Sequence, residues 1–120
     1  MAWEEYQGIV TGEYTATANK GGSISFSSAV AKTILKDIQF CVLYVDKERQ
    51  CIGCKPVDKD AANARRVRKS GSGMQVNAAG AISLLDLHPN PTVKGRVYRE
   101  RDMVVVDFSE PLPVTHRARR

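Results

Sequence analysis

The largest class of charged side chains in this chain is cationic, with 18 Lys and Arg against 13 Asp and Glu. Arg65, Arg66, Arg68 and Lys69 form the densest cluster, Lys94, Arg96, Arg99 and Arg101 make a second, and Arg117, Arg119 and Arg120 a third near the C-terminus. Clustered Arg and Lys neutralise phosphates and release their counterions, so the first two sets are the expected contacts to nucleic acid. If Lys94 and Arg96 lie in a strand, alternation puts both on one face. No element of the sequence clearly presents these cations to base edges, so phosphate contact is expected rather than sequence readout. The plainer alternative is a solvated face with a mobile linker and tail.

Other chemistries have weaker signals. Cys51-Ile52-Gly53-Cys54 is a CxxC, but zinc would need two more ligands in a closed tetrahedron. The candidates are Cys41, His88 and His116, which make no second knuckle. A redox CxxC usually sits at a helix N-terminus, which lowers the thiolate pKa. This one reads as strand, where positions i and i+3 point to opposite faces, so buried structural cysteine is the expectation. Neither histidine has a nucleophile and an orienting carboxylate in a local motif. Asp58, Asp60, Asp102 and Asp107 show no paired spacing. Gly21-Gly22 and Gly71-x-Gly73 precede strands rather than helices, so they lack the setting of a phosphate cradle. We therefore expect no enzyme, no metal and no cofactor.

The composition bounds the class. The chain has 120 residues, 42% hydrophobic and 26% charged, ordinary for one globular domain. The formal charge of +5 permits a polyanionic partner, and it also serves solubility. No apolar run is long enough to span a membrane. The opening MAWEEYQ is acidic and unlike a secretory signal, and three cysteines make no paired framework, so a reducing cytoplasm is expected.

The elements that must position the cations come from a repeat. Ser23 to Val57 reads as strand, short helix and hairpin, and Gly73 to Ser109 replays it at an offset of 50 residues, Ser23 matching Gly73. Ile24 meets Met74, Phe26 meets Val76, Ile34 meets Leu84 and Leu35 meets Leu85. Ser23 to Phe26 alternates as a half-buried strand. Ser27 or Ser28 caps a helix over about Ser28 to Leu35, and Asn77 caps one over Ala78 to Leu85. Gly80 weakens the second helix by about 1 kcal/mol relative to alanine. Phe40 to Val45 pairs with Cys51 to Val57. With Asp46 facing Cys51, the core face is Cys41, Leu43, Val45, Ile52 and Cys54. Pro56 ends the strand. Lys94 to Arg99 and Met103 to Phe108 make the second hairpin. Tyr6 to Ile9 and Tyr14 to Thr17 have strand composition, and Trp3 reads as a lid on the core.

The expected organisation is one domain over 1–110. It comprises an N-terminal hairpin or arm (1–22), a first unit (23–57), a linker (58–72) and a second unit (73–109). A flexible basic tail follows over 111–120. The fold class is mostly β with two short helices. Two pseudo-symmetric β-α-β-β units interlock in it, because a lone unit cannot cover both faces of its hairpin.

On Gly22 to Phe26, Ser27, Leu35, Phe40 to Val45 and Ile52 to Pro56, the unit resembles the swapped-hairpin barrel half of the AbrB/SpoVT/MraZ class. The second copy matches on Gly73 to Val76, Asn77, Leu85, Gly95 to Arg99 and Val104 to Phe108. The resemblance implies a tandem pseudo-dimer in one chain and a transcription-regulator-like DNA-binding role. Members that bind DNA carry several arginines about the first strand, cap and helix. Here the first helix offers only Lys32 and the second no basic residue. The class also favours proline where Ser27 and Asn77 stand. The alternative reading is a protein-interaction module, such as a phage or mobile-element inhibitor of a bacterial protein complex. Either reading is compatible with a homo-oligomer.

Overall fold

The structure, a computed structural model, describes residues 14–87, 89 and 92–112. Trp3, the strand expected over Tyr6 to Ile9, both histidines and residues 113–120 of the tail lie outside them. The chain is mostly β, a nearly closed antiparallel barrel with two short helices. The elements are β1 (Thr15–Asn19), β2 (Ser23–Phe26), α1 (Ser28–Lys32), β3 (Phe40–Asp46), β4 (Cys51–Pro56), β5 (Arg65–Arg66), β6 (Arg68–Ser70), β7 (Gly73–Asn77), α2 (Ala79–Leu84), β8 (Thr92–Glu100) and β9 (Met103–Leu112). One nine-stranded sheet runs in the order β5-β3-β4-β9-β8-β1-β2-β7-β6.

The strands at the two ends of that order, β5 and β6, are consecutive pieces of one stretch, so the sheet curls until its edges meet there. Residues 65–70 fall within the expected linker, yet they form strands because Val67 anchors them. It is the one apolar residue of a basic run, its side chain is 9% exposed, and its N–H donates to the Gln39 carbonyl at 2.8 Å. Arg65 and Arg66 pair with Cys41 and Phe40 on one side of Val67, while Arg68 to Ser70 pair with Gln75 to Gly73 on the other.

The first hairpin has the expected register, with Asp46 opposite Cys51, Val45 opposite Ile52 and Leu43 opposite Cys54. Cys41, Ile52 and Cys54 are buried, and Leu43 and Val45 pack partly buried against the core. Strand β4 lies between β3 and β9 and is buried on both faces from Cys51 to Cys54, with the Met103 side chain lying over Gly53. Strand β9 continues past Phe108 to Leu112, beyond the expected end of the second hairpin, with Leu112 opposite Lys94 across an irregular register.

Both helices are shorter than expected. Ser27 caps α1, its hydroxyl oxygen accepting from the Val30 N–H at 3.5 Å. Helix α1 stops at Lys32 and runs on as turns, with the Thr33 N–H at 3.2 Å and the Leu35 N–H at 2.9 Å both donating to the Val30 carbonyl. Asn77 sits one residue outside the cap position of α2, which Ala78 occupies, yet its Oδ1 accepts from the Ala79 N–H at 3.4 Å. Helices of five and six residues do not stand alone in water. They persist because Ala29, Val30, Ala31, Ala81 and Ile82 are buried against the sheet.

Two glycines differ in what they permit. At Gly73, beside β2, a Cβ would collide with the Phe26 carbonyl oxygen, whereas at Gly80 nothing lies within 4 Å. Urea unfolding is expected to show Gly73→Ala losing about 1–3 kcal/mol by overpacking. Gly80→Ala is expected to gain about 0.5–1 kcal/mol with an unchanged m-value.

Candidate nucleic-acid interface

The outer face of the sheet follows from strand alternation. In β2, Ile24 and Phe26 point into the core, so Ser23 and Ser25 point out. In β1, Ala16 and Ala18 are buried, which leaves Thr17 and Asn19 outward, and in β7 Val76 is buried, which leaves Gln75 and Asn77 outward. Directly opposed residues of antiparallel strands share a face. Lys94 faces Thr17, Thr17 faces Ser25, Ser25 faces Gln75 and Gln75 faces Arg68. The registers therefore make one polar row across five strands, with a cation at each end. Measured along the curled sheet, four strand spacings, about 19 Å, separate those ends.

Side-chain hydrogen bonds stiffen the middle of this face. Asn19 Nδ2 donates to Ser23 Oγ and Ser25 Oγ, both at 3.0 Å, and Gln75 Nε2 donates to Ser23 Oγ at 2.8 Å. At the β6 end, Arg65, Arg66, Arg68, Ser23, Gln75 and Asn77 line a hollow of about 340 Å³ with no carboxylate in its lining. Arg65 Nη1 donates to the Asn77 carbonyl at 3.3 Å, and the Arg66 guanidinium lies 5.9 Å from the centroid of the Phe40 ring. These contacts hold two guanidinium groups about the hollow while leaving most of their donors to solvent.

The eight expected site residues are divided by this geometry. Arg65, Arg66 and Arg68 come together at the hollow. Lys94 stands at the far end of the row, and Arg96, opposite Thr15, is its neighbour on the same strand and face. Arg96 also lies 3.9 Å from Glu110. Lys69 faces Met74 and borders another depression with Lys32, Lys36 and Asp37. Arg99 alternates to the face opposite Arg96, and Arg101 sits in the β8–β9 turn with φ of 58°. The reading of the cations alone missed the polar middle of Thr17, Asn19, Ser23, Ser25, Gln75 and Asn77. Its signal was the alternation of small polar with apolar residues in TATAN, SISF and GMQVN.

A second polar cluster joins the two hairpins. Arg49, in the β3–β4 turn, forks onto Glu100 with Nη2–Oε1 at 2.8 Å and Nη1–Oε2 at 3.2 Å, and Nη2 also donates to Tyr98 Oη at 2.8 Å. Hydrogen bonding and charge from Arg49 hold the Glu100 carboxyl below its usual range. Nearby, burial and then the Asp107 charge push the Cys51 thiol up. Burial also acts to raise Asp107, but hydrogen bonds from Ser109 and Cys51 and the Arg49 charge outweigh it and leave that carboxyl lowered.

The two ends of the CxxC have different surroundings. Cys54 turns inward to Cys41, whose hydrogen bond, together with burial, holds its thiol well above the usual range, whereas Cys51 turns to Tyr98 and Asp107. All three cysteines are free and buried. Among the described residues no three His, Cys, Asp or Glu side chains gather to hold a metal ion, and no helix is long and apolar enough to cross a membrane.

Comparison with family models, with curated proteins and with solved structures finds no match.

The Arg49–Glu100 fork has a pH signature. Because the folded-state pKa of Glu100 is depressed, the link contributes above the ordinary carboxylate range and is lost as pH falls through the folded value. NMR titration is expected to place Glu100 below an ordinary glutamate in the native chain, and back in the ordinary range in Arg49→Gln.

Proposed function

We propose that the chain is a small nucleic-acid-binding protein of the transcription-regulator kind, contacting phosphates across the outer face of β8, β1, β2, β7 and β6. The observation that carries this reading is the row Lys94, Thr17, Ser25, Gln75 and Arg68. It is a short-chained polar surface with cations at both margins and three arginines about a carboxylate-free hollow at one of them. Hydroxyl and amide groups hydrogen-bond phosphate and sugar, and the arginines neutralise charge. Short hydroxyl and amide side chains standing on strands reach phosphate and sugar more readily than base edges in a groove, which favours backbone contact over base readout.

The tandem arrangement implied by the AbrB-like resemblance belongs to the same proposal. It is supported by pairings between the two halves, β2 with β7 and β4 with β9, which are corresponding elements of the repeat. It is supported further by the stretch 65–70, which stands 50 residues after β1 and has a similar part. Strand β1 turns into β2 and reaches the second hairpin at β8, while residues 65–70 turn into β7 and reach the first hairpin at β3. On this reading the repeat extends upstream of Ser23 and Gly73 to include these strands.

Gel shift with duplex DNA is the test. Binding is expected at low salt and is expected to weaken steeply at moderate salt. Arg66→Ala with Arg68→Ala should weaken it across all sequences and flatten the salt dependence by about 0.9 for each phosphate no longer neutralised. Arg101→Ala, at the remote turn, should leave it unchanged. A chain that shifts no duplex even at low salt overturns the proposal.

A further inference from the structure

The barrel's seam is uneven. On the β1 side, β8 pairs over five residues, Thr92 to Arg96. On the β5 side, β3 pairs only at Phe40 and Cys41. From Val42 to Asp46, β3 is bonded to β4 on one edge, and among the described residues no backbone hydrogen bond joins its other edge. Five residues of strand edge, about 17 Å long, are thus a template of donors and acceptors for one more strand.

Beside this edge lies a groove of about 600 Å³ between β3 and α2, floored by Val42, Tyr44, Ala62, Gly80 and Leu84. Tyr44 is 49% and Leu84 55% exposed, and they are two of the three large hydrophobic residues left exposed among the described residues. Both line this groove. Its only charged lining residues are Lys55 and Arg65, and no carboxylate lines it. Lys55 sits 3.6 Å from Asp102, an exposed pair that solvent screens.

We propose that the β3 edge and this groove form a docking site for an extended acidic peptide of another protein, which adds a strand to β3. Its apolar side chains, at alternate positions, rest on Tyr44 and Leu84, and its carboxylates face Lys55 and Arg65. The edge asks for an extended backbone, which nucleic acid does not have. A second copy would bring the same two cations to the same groove on a chain of net charge +5, so charge complementarity selects an acidic partner. The inference stands apart from the nucleic-acid reading, because its surface is built on β3 and α2, which supply none of the polar row, and it shares only Arg65 with the hollow.

The test uses the full chain and a short fluorescein-labelled peptide that alternates glutamate with valine or phenylalanine. Fluorescence anisotropy is expected to show binding, and hydrogen exchange is expected to show amides between Val42 and Asp46 gaining protection when peptide is added. Leu84→Glu and Tyr44→Ser alter exposed side chains, and each should weaken binding about tenfold or more while amide spectra stay native. The peptide with lysine in place of glutamate should bind at least about tenfold more weakly. Three results overturn the proposal: no binding by a native-like chain, binding by both variants as tight as by the unmodified chain, or protection that rises with protein concentration in the absence of peptide. The last would assign the edge to a second copy.

Discussion

Closure of the sheet by residues 65–70 is the constraint on which the rest of the structure depends. An antiparallel sheet of eight or nine strands leaves two rows of unpaired backbone groups unless its edges meet. Here one stretch serves both edges, pairing Arg65 and Arg66 with β3 and Arg68 to Ser70 with β7. The burial of Val67 decides how that stretch is seated. Once its side chain is inside the barrel, the charged residues on either side stand outside, as a basic run requires. The segment that completes the fold therefore also supplies the densest positive charge on the surface.

The same pairing converts scattered cations into a surface with order. Lys94 and Arg68 are far apart in sequence, and they become the two margins of one row because β8, β1, β2, β7 and β6 are hydrogen-bonded neighbours in a fixed register. Between them the row carries only threonine, serine and glutamine, and Ser23 ties the polar residues about it together. The row has a polar middle stiffened by side-chain hydrogen bonds, and its Arg68 end lies in a strand rather than in a mobile linker. The hairpin tips are fastened separately, by the Arg49 fork on Glu100 and Tyr98, so charges at that end serve the contact between hairpins.

The closing stretch is too short to seal everything. It spends two residues on β3 and three on β7, while β1 gives five to β8. The difference leaves an unpaired run of β3 beside exposed Tyr44 and Leu84, in the groove that β3 shares with α2. The two seams are thus unequal in length.

Much of this was legible in the chain itself. The alternation of Ser-Ile-Ser-Phe, the cap at Ser27, the strand breaker at Pro56 and the first hairpin's register are local signals, each decided by neighbours within a few residues. Alternation likewise placed Lys94 and Arg96 on one face. Other features depended on partners distant in sequence. The stretch 65–70 reads as linker because a strand with one apolar residue has no strand signal of its own, and it becomes strand only when two open edges need its donors and acceptors. The helices stop short of the expected ends because tertiary packing, not the hydrophobic pattern, sets where a turn of helix stops being useful. Which arginines gather and which disperse was likewise beyond local reading. Residue type determines that a guanidinium can bind phosphate, but only the order of strands in the closed sheet determines which guanidinium groups stand together.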